Sequence, residues 1–280
     1  MKKHYKRVLT IAGSDPSGGA GIQADLKTFS ACGCYGMSAI VAVVDENTVG
    51  VTGVHPVPVD FVTGQIRSVL DDIGADAVKI GMLHSSELIR AVRETLAAYD
   101  IRNIVLDPVM VATSGAKLID DDAITALTER LFPLAEVITP NIPETEVLLD
   151  LIAHRGASLD PAKWAEDTDR ESTRIVSDTA MEDAGRTVSE HYGCAVLVKS
   201  GHGVADASDL LYADGVATWI HGVRVDNPNT HGTGCTLSSA IASNLAKGEA
   251  LPDAIRHAKD YLTGALGAQL NLGHGSGPMD

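Results

Sequence analysis

The chain is short of cysteine, aromatic residues and positive charge, and each shortage closes off a class of function. Its 280 residues include four cysteines. Cys32, Cys34, Cys194 and Cys235 show neither zinc-ligand nor thioredoxin spacing, so reduced thiols are expected rather than a disulfide framework. With three Phe and two Trp against 45% hydrophobic content, the core falls to Ala, Val, Leu and Ile, enough for one large core in a single domain over 1–280. Lys and Arg number 22 against 37 Asp and Glu, a formal charge of −15. That balance works against nucleic acid and anionic membranes as partners, so any phosphate must be held by a local site. No apolar run approaches transmembrane length. Val8 to Gly13, after the basic start Met1 to Arg7, is too short for a secretory segment. A cytoplasmic protein is the expectation.

What is present is an alternation of short apolar runs with helical patterns, the signature of strand-helix-strand units. Strands are expected at Val8–Ala12, Ser38–Val44, Ala77–Ile80, Asn103–Leu106, Glu136–Thr139 and Ala195–Lys199. Val62, Ile66, Val69, Leu70 and Ile73 recur at helical spacing, as do Leu88, Val92 and Leu96. A final helix is expected from about Pro252 to Leu270. The fold class is therefore α/β: a central, mostly parallel sheet flanked by helices on both faces. Two regions break the rhythm. Asp45 to Pro58 reads as a loop or short strands able to cover a ligand, and the charged stretch 154–178 reads as a solvated surface insertion. The glycine-rich tail 273–280 is expected to be loosely ordered.

The most informative segment is Asn227-Pro-Asn-Thr-His-Gly-Thr-Gly-Cys235, which leads directly into a helical run. Gly232, Thr233 and Gly234 let backbone N–H groups converge at a helix start, where the partial positive charge favours a phosphate. Cys235 lies in that first turn, where the same field favours thiolate, making it a candidate base or nucleophile. The bland alternatives are a tight turn and a small buried thiol. A metal site of His231 with Cys235 lacks a third ligand.

A rival reading attaches to the first turn, where Gly19-x-Gly21-x-x-Ala24 matches the dinucleotide fingerprint and Asp45 follows at roughly the expected twenty residues, as in an NAD-dependent oxidoreductase. Against it, Ser14 to Gly18 is long for that turn. No Gly-x-x-x-x-Gly-Lys-[Ser/Thr] occurs, so a phosphotransferase would use the cup before Cys235 in place of a P-loop. Asp107 and the Asn141-x-x-Glu144 segment stand at strand ends, where a kinase needs ligands for phosphate and magnesium. Asn141 with Glu144 also fits a helix capping box. Lys199, ending another strand, is positioned to reach a transferred phosphate, although a strand-end lysine is ordinarily just solvated.

Ala12-Gly-Ser-Asp-x-Ser-Gly-Gly-Ala-Gly-Ile-Gln-Ala-Asp-Leu-Lys-Thr28, Lys79-Ile-Gly-Met-Leu83, Asp107-Pro-Val-Met110, Thr139-Pro-Asn-x-x-Glu144 and Thr230-His-Gly-Thr-Gly-Cys-Thr236 occur in order along nearly the whole chain. Together they resemble the ribokinase-like superfamily, specifically its hydroxymethylpyrimidine and phosphomethylpyrimidine kinases, with pyridoxal kinases close by. The resemblance implies an ATP- and Mg2+-dependent phosphotransferase of thiamine biosynthesis that phosphorylates the hydroxymethyl group of 4-amino-5-hydroxymethyl-2-methylpyrimidine and then the monophosphate. It places Gly13, Asp25, Glu46, Met82 and Val109 at the pyrimidine, and Asp107, Asn141, Glu144 and Lys199 at the nucleotide phosphates. Asp107 and Glu144 are implied as magnesium ligands, Gly232 to Cys235 as the anion hole with Cys235 as base, and a homodimer as the assembly.

The chain departs from the family at Asp45-Glu-Asn-Thr48, where many members carry Ala-Gln-Asn-Thr, so a carboxylate stands in place of an amide. That keeps a pyridoxine or pyridoxal kinase as the alternative. Ala112 stands where some related pyridoxal kinases carry a cysteine, which favours the pyrimidine. A nucleotide-binding sensor without turnover is the non-enzymatic reading.

Overall fold

The computed structural model describes residues 4–110, 119, 121–153, 173–200 and 207–279. Their order is β1 (Arg7–Ala12), α1 (Gly21–Ala31), β2 (Tyr35–Ile40), β3 (Ala42–Asn47), β4 (Gly50–Pro56), α2 (Val59–Asp72), β5 (Ala77–Ile80), α3 (Ser86–Leu96), β6 (Ile104–Leu106), α4 (Asp121–Ala126), β7 (Val137–Ile138), α5 (Ile142–Ala153), α6 (Asp178–Tyr192), β8 (Ala195–Val198), β9 (Asp209–Ala213), β10 (Val216–Ile220), α7 (Thr233–Ala246) and α8 (Leu251–Gly267). Eight strands form one sheet in the order β10-β9-β8-β7-β6-β5-β1-β2, and β3 pairs with β4 in a separate hairpin. Pairing is parallel from β2 across to β8, then antiparallel through β9 and β10.

Both faces of the sheet are buried, which is why its strands read as unbroken apolar runs. Leu9, Ile11, Val78, Ile80, Leu106 and Val196 point to the face covered by α2 to α6, where Val62, Ile66, Leu70, Leu88, Val92 and Leu96 supply the helical stripes. Val8, Ala77, Val105, Val137 and Leu197 point to the other face, against Phe29 of α1, Leu237, Ile241 and Leu245 of α7 and Ile255 of α8. Successive strand residues alternate faces. Thr10, Lys79, Asp107, Thr139 and Lys199 therefore share the α1/α7/α8 face, each in the carboxyl half of its strand or beyond its end. Ligands bind in that place in open α/β sheets.

Three expectations need correction. The run Ser38–Val44 is two strands, because at Val41 the chain leaves the sheet: the Val41 N–H donates to Ala12 and the Ala42 carbonyl accepts from Ser14. The hairpin β9–β10, which is not among the expected strands, turns at Asp214 and Gly215, both at positive φ. The tail 273–279 folds back onto the molecule. The Gly277 N–H donates to Asn229 at 2.9 Å and the amides of His274 and Gly275 approach the Thr48 hydroxyl. Gly277 and Pro278 are buried, because this run fills the gap between hairpin tip and anion loop. Most of the charged stretch lies outside the described residues. Its end, 173–178, leads into α6 through an N-cap at Ser177.

Candidate active site

The two glycine-rich loops that the sequence presents as rivals pack against one another. Gly232, the N-cap of α7, has φ +83°, and a Cβ there would overlap the Gly19 carbonyl. A Cβ on Gly19 would lie 2.6 Å from His231. The clearance that a dinucleotide fingerprint reserves for pyrophosphate is thus filled by the protein's own second loop. Asp15 organises the first loop: its carboxylate accepts from the amides of Ser17, Gly19 and Ala20 and from the Ser17 hydroxyl. Burial alone would raise its pKa, but these hydrogen bonds and His231 hold it below the usual range.

His231 Nε2 lies 2.9 Å from Asp15 and 3.9 Å from Glu46. The trio is close enough to suggest an ion site, yet the Asp15 oxygens are already occupied by donors, His231 among them, while Glu46 lies beyond hydrogen-bond reach of the imidazole. The pairing of His231 with Cys235 is not seen. Burial, and then Asp15, push the Glu46 carboxyl upward against the opposing pull of His231. Glu46 stands in β3 beside the register shift with β4, so the flap expected at Asp45–Pro58 is a hairpin that brings Glu46 to the anion loop. Gly13 faces Met82 and Val44, each within 4 Å of where a Cβ would stand. Val109 is half-buried and donates its amide to the Asp107 carbonyl.

At the cup itself, Asp107 and Lys199 form an ion pair at 2.9 Å. A Cβ on Gly234 would lie 3.0 Å from Asp107 Oδ2 and 3.4 Å from Lys199 Nζ, so only glycine leaves this carboxylate and ammonium facing the first turn of α7. Burial would raise the Asp107 carboxyl, but Lys199 and Lys79 hold it low. The amides of Gly234 and Cys235 sit where helical N–H groups lack intrahelical acceptors.

Asn141 and Glu144 form the capping box. Glu144 N–H donates to Asn141 Oδ1 at 2.8 Å, and Asn141 N–H donates to Glu144 Oε2 at 2.9 Å. Glu144 Oε1 accepts from Met110 N–H at 3.3 Å. Burial pushes Glu144 up to about 7, with Lys199 opposing and Asp107 reinforcing. Both its oxygens accept backbone N–H groups, which leaves Asp107 the better placed of the two expected magnesium ligands. Asp107 Oδ2 fits that role, since the Thr139 and Lys199 bonds fall on Oδ1.

Two expected site residues have surroundings that the sequence does not show. The Cys235 thiol is pushed up, chiefly by burial and further by Asp25 and Asp107, which outweigh Lys79 and a Gly21 amide. The helix-start field does not by itself make a thiolate. Asp25 is fully buried and bonded to protein alone: Thr10 at 2.6 Å, Lys79 at 2.9 and 3.0 Å, and Ser239 at 2.7 Å. Lys79 is the residue that sequence reasoning passed over. Its signal was a lysine inside Ala77-Val-Lys-Ile80, a strand buried along its whole length.

The family model for phosphomethylpyrimidine kinase matches residues 15–280. A hydroxymethylpyrimidine/phosphomethylpyrimidine kinase of Haemophilus influenzae is 42% identical over 282 residues, covering 99% of this chain and 97% of that protein. A thiamine biosynthesis bifunctional protein of Geobacter sulfurreducens is 46% identical over 274 residues, 98% of this chain and 51% of that protein. Among solved structures, an ADP complex of Bacillus subtilis pyridoxal kinase superposes with a TM-score of 0.83 at 34% identity, covering 99% of this chain and 97% of that one.

Proposed function

Since the chain belongs to the phosphomethylpyrimidine kinase family, we propose that it transfers the γ-phosphate of ATP to the hydroxymethyl group of 4-amino-5-hydroxymethyl-2-methylpyrimidine, and then to the monophosphate, for thiamine synthesis. The observation that carries the site assignment is the convergence of Asp107, Lys199 and the first turn of α7 on Gly234. Preorganised hydrogen-bond donors aimed at developing charge are worth roughly 2.7–4 kcal/mol where a side-chain donor has been removed. In this mechanism the amides of residues 232 to 235 and the Lys199 ammonium neutralise charge on the migrating phosphoryl group. Asp107 Oδ2 would hold Mg2+, which when bound neutralises phosphate charge. Cys235 takes the hydroxyl proton. Its raised thiol makes the rate climb with pH as the thiolate fraction grows.

Gly13, Met82, Val109 and Glu46 line the ring site, with Glu46 accepting from the exocyclic amine. Asp25 supports this wall from behind, and Asn141 and Glu144 fix the loop after β7. Thr233 and Gly232 shape the cup. The enzyme is proposed to work in the cytoplasm as a homodimer; Val43, Val51 and Val54, each more than half exposed on the hairpin, are apolar surface that such a contact would cover. Ala112, which bears on the pyridoxal alternative, lies outside the described residues.

A coupled ATPase assay on hydroxymethylpyrimidine, its monophosphate, pyridoxine and pyridoxal tests the substrate. The pyrimidine is expected to show the highest kcat/KM. A higher value for a B6 vitamer would make this a pyridoxal-type kinase, and ATP binding without turnover on any of them would make it a sensor. Cys235→Ala should lower kcat by about 10²–10⁴ with ATP affinity held; a near-wild-type rate removes the sulfur from the chemistry.

A further inference from the structure

Lys79 is fully buried and ion-paired with a fully buried Asp25. Such a pair is an inefficient way to stabilise a core, since apolar side chains of similar volume do as well or better. Four elements converge on it: Thr10 from β1, Asp25 from α1, Lys79 from β5 and Ser239 from α7. Ser239 is one helical turn beyond Cys235 and on the same face of α7, so the hydroxyl that reaches Asp25 marks where the sulfur stands. Two of the three ammonium donors are directed at Asp25. Gly81 keeps the space above the ammonium open, because a Cβ there would lie 3.0 Å from Lys79 Nζ.

The electrostatics are reciprocal. Burial disfavours the charge on Lys79, but Asp25, then Cys235, then Asp107 favour it and keep the ammonium protonated. Of the groups acting on Cys235, Lys79 is the leading one that favours the thiolate, against burial, Asp25 and Asp107 and alongside the Gly21 amide. Asp107 is partly neutralised by Lys199. Lys79 is therefore the cation that offsets the acids converging on the sulfur.

We propose that Lys79 is a positioning residue for phosphoryl transfer: seated by Asp25 beneath the first turn of α7, its ammonium favours the charged form of Cys235 that accepts the hydroxymethyl proton. The inference rests on the reading of Cys235 as base. In the step, the substrate O–H proton passes to the sulfur as the new O–P bond forms and the bond from the γ-phosphorus to the bridging oxygen breaks. ADP leaves with that electron pair, and Cys235 later returns the proton to solvent.

The test uses Lys79→Met and, in case that does not fold, Lys79→Gln, which keeps a hydrogen bond to Asp25; both leave Asp25 in place, so loss of the cation is not offset by loss of the acid that opposes it at Cys235. Iodoacetamide labelling of Cys235 in substrate-free enzyme, followed by peptide mass spectrometry across pH, reads the thiol directly. A folded variant is expected to shift the labelling midpoint to higher pH by at least one unit, about tenfold less thiolate at neutral pH. Its kcat should fall by a similar factor with nucleotide KM unchanged. An unmoved midpoint in either folded variant overturns the role of Lys79. A wild-type rate for Cys235→Ala would instead sink the base assignment, whatever the labelling shows.

Discussion

The two lysine pairs on this sheet start from the same ingredients. Lys79 meets Asp25 and Lys199 meets Asp107, each at 2.9 Å and each on the α1/α7/α8 face. They differ in access. The first pair is sealed, with neither side chain exposed, whereas the second leaves 15% of Lys199 and 5% of Asp107 open to the cup. Asp25 spends both oxygens on protein donors; Asp107 keeps Oδ2 facing Gly234. A charge that cannot be reached acts only through its field, whereas one that borders the cup is open to a ligand.

The largest expected effect separates the pairs by stability. Lys79→Met strands a buried carboxylate and should cost about 3–5 kcal/mol in denaturant melts. Lys199→Met should cost clearly less, because Asp107 is still bonded by Thr139 and borders the open cup. Equal losses would erase the distinction. Next comes turnover: Lys199→Met should lower kcat by roughly 10²–10³, a loss read in the coupled assay. A mild effect would mean that the open pair does not meet the phosphate.

The smallest effect lies beside the open pair. Glu144 is raised from 4.5 to about 7 in the fold, so the native state binds the extra proton. Its stabilising contribution is complete below about pH 4.5 and is lost as pH rises through 7. Glu144→Gln should flatten that decline, on the order of 3 kcal/mol between pH 4.5 and 7.5, in melts at the two pH values. An unchanged slope would show that Glu144 does not carry the titration.

What could be read from the chain follows the same division between local and remote causes. Ala77–Ile80 and the stripes of α2 and α3 were legible because periodicity is local. So was the cup, since glycines before a helix act where they stand. The split at Val41 was not, because it is made by Ala12 and Ser14 from another strand and its loop. The β9–β10 hairpin carried a clear Asp-Gly signal that was passed over. The state of Cys235 could not be inferred from its helix position, since burial by distant segments, with Asp25 and Asp107 arriving from more than a hundred residues away, outweighs the local preference. Lys79 was visible as an oddity in an apolar strand, but its partner was not.

The interlock of Gly19 with Gly232 bears on how such a site can be altered. Each loop is the wall of the other: a methyl group on Gly232 would need the Gly19 backbone to retreat, and one on Gly19 would need the His231 side chain to move. Engineers and evolving lineages alike must therefore treat the two segments, over two hundred residues apart, as a single cassette, inherited or replaced together.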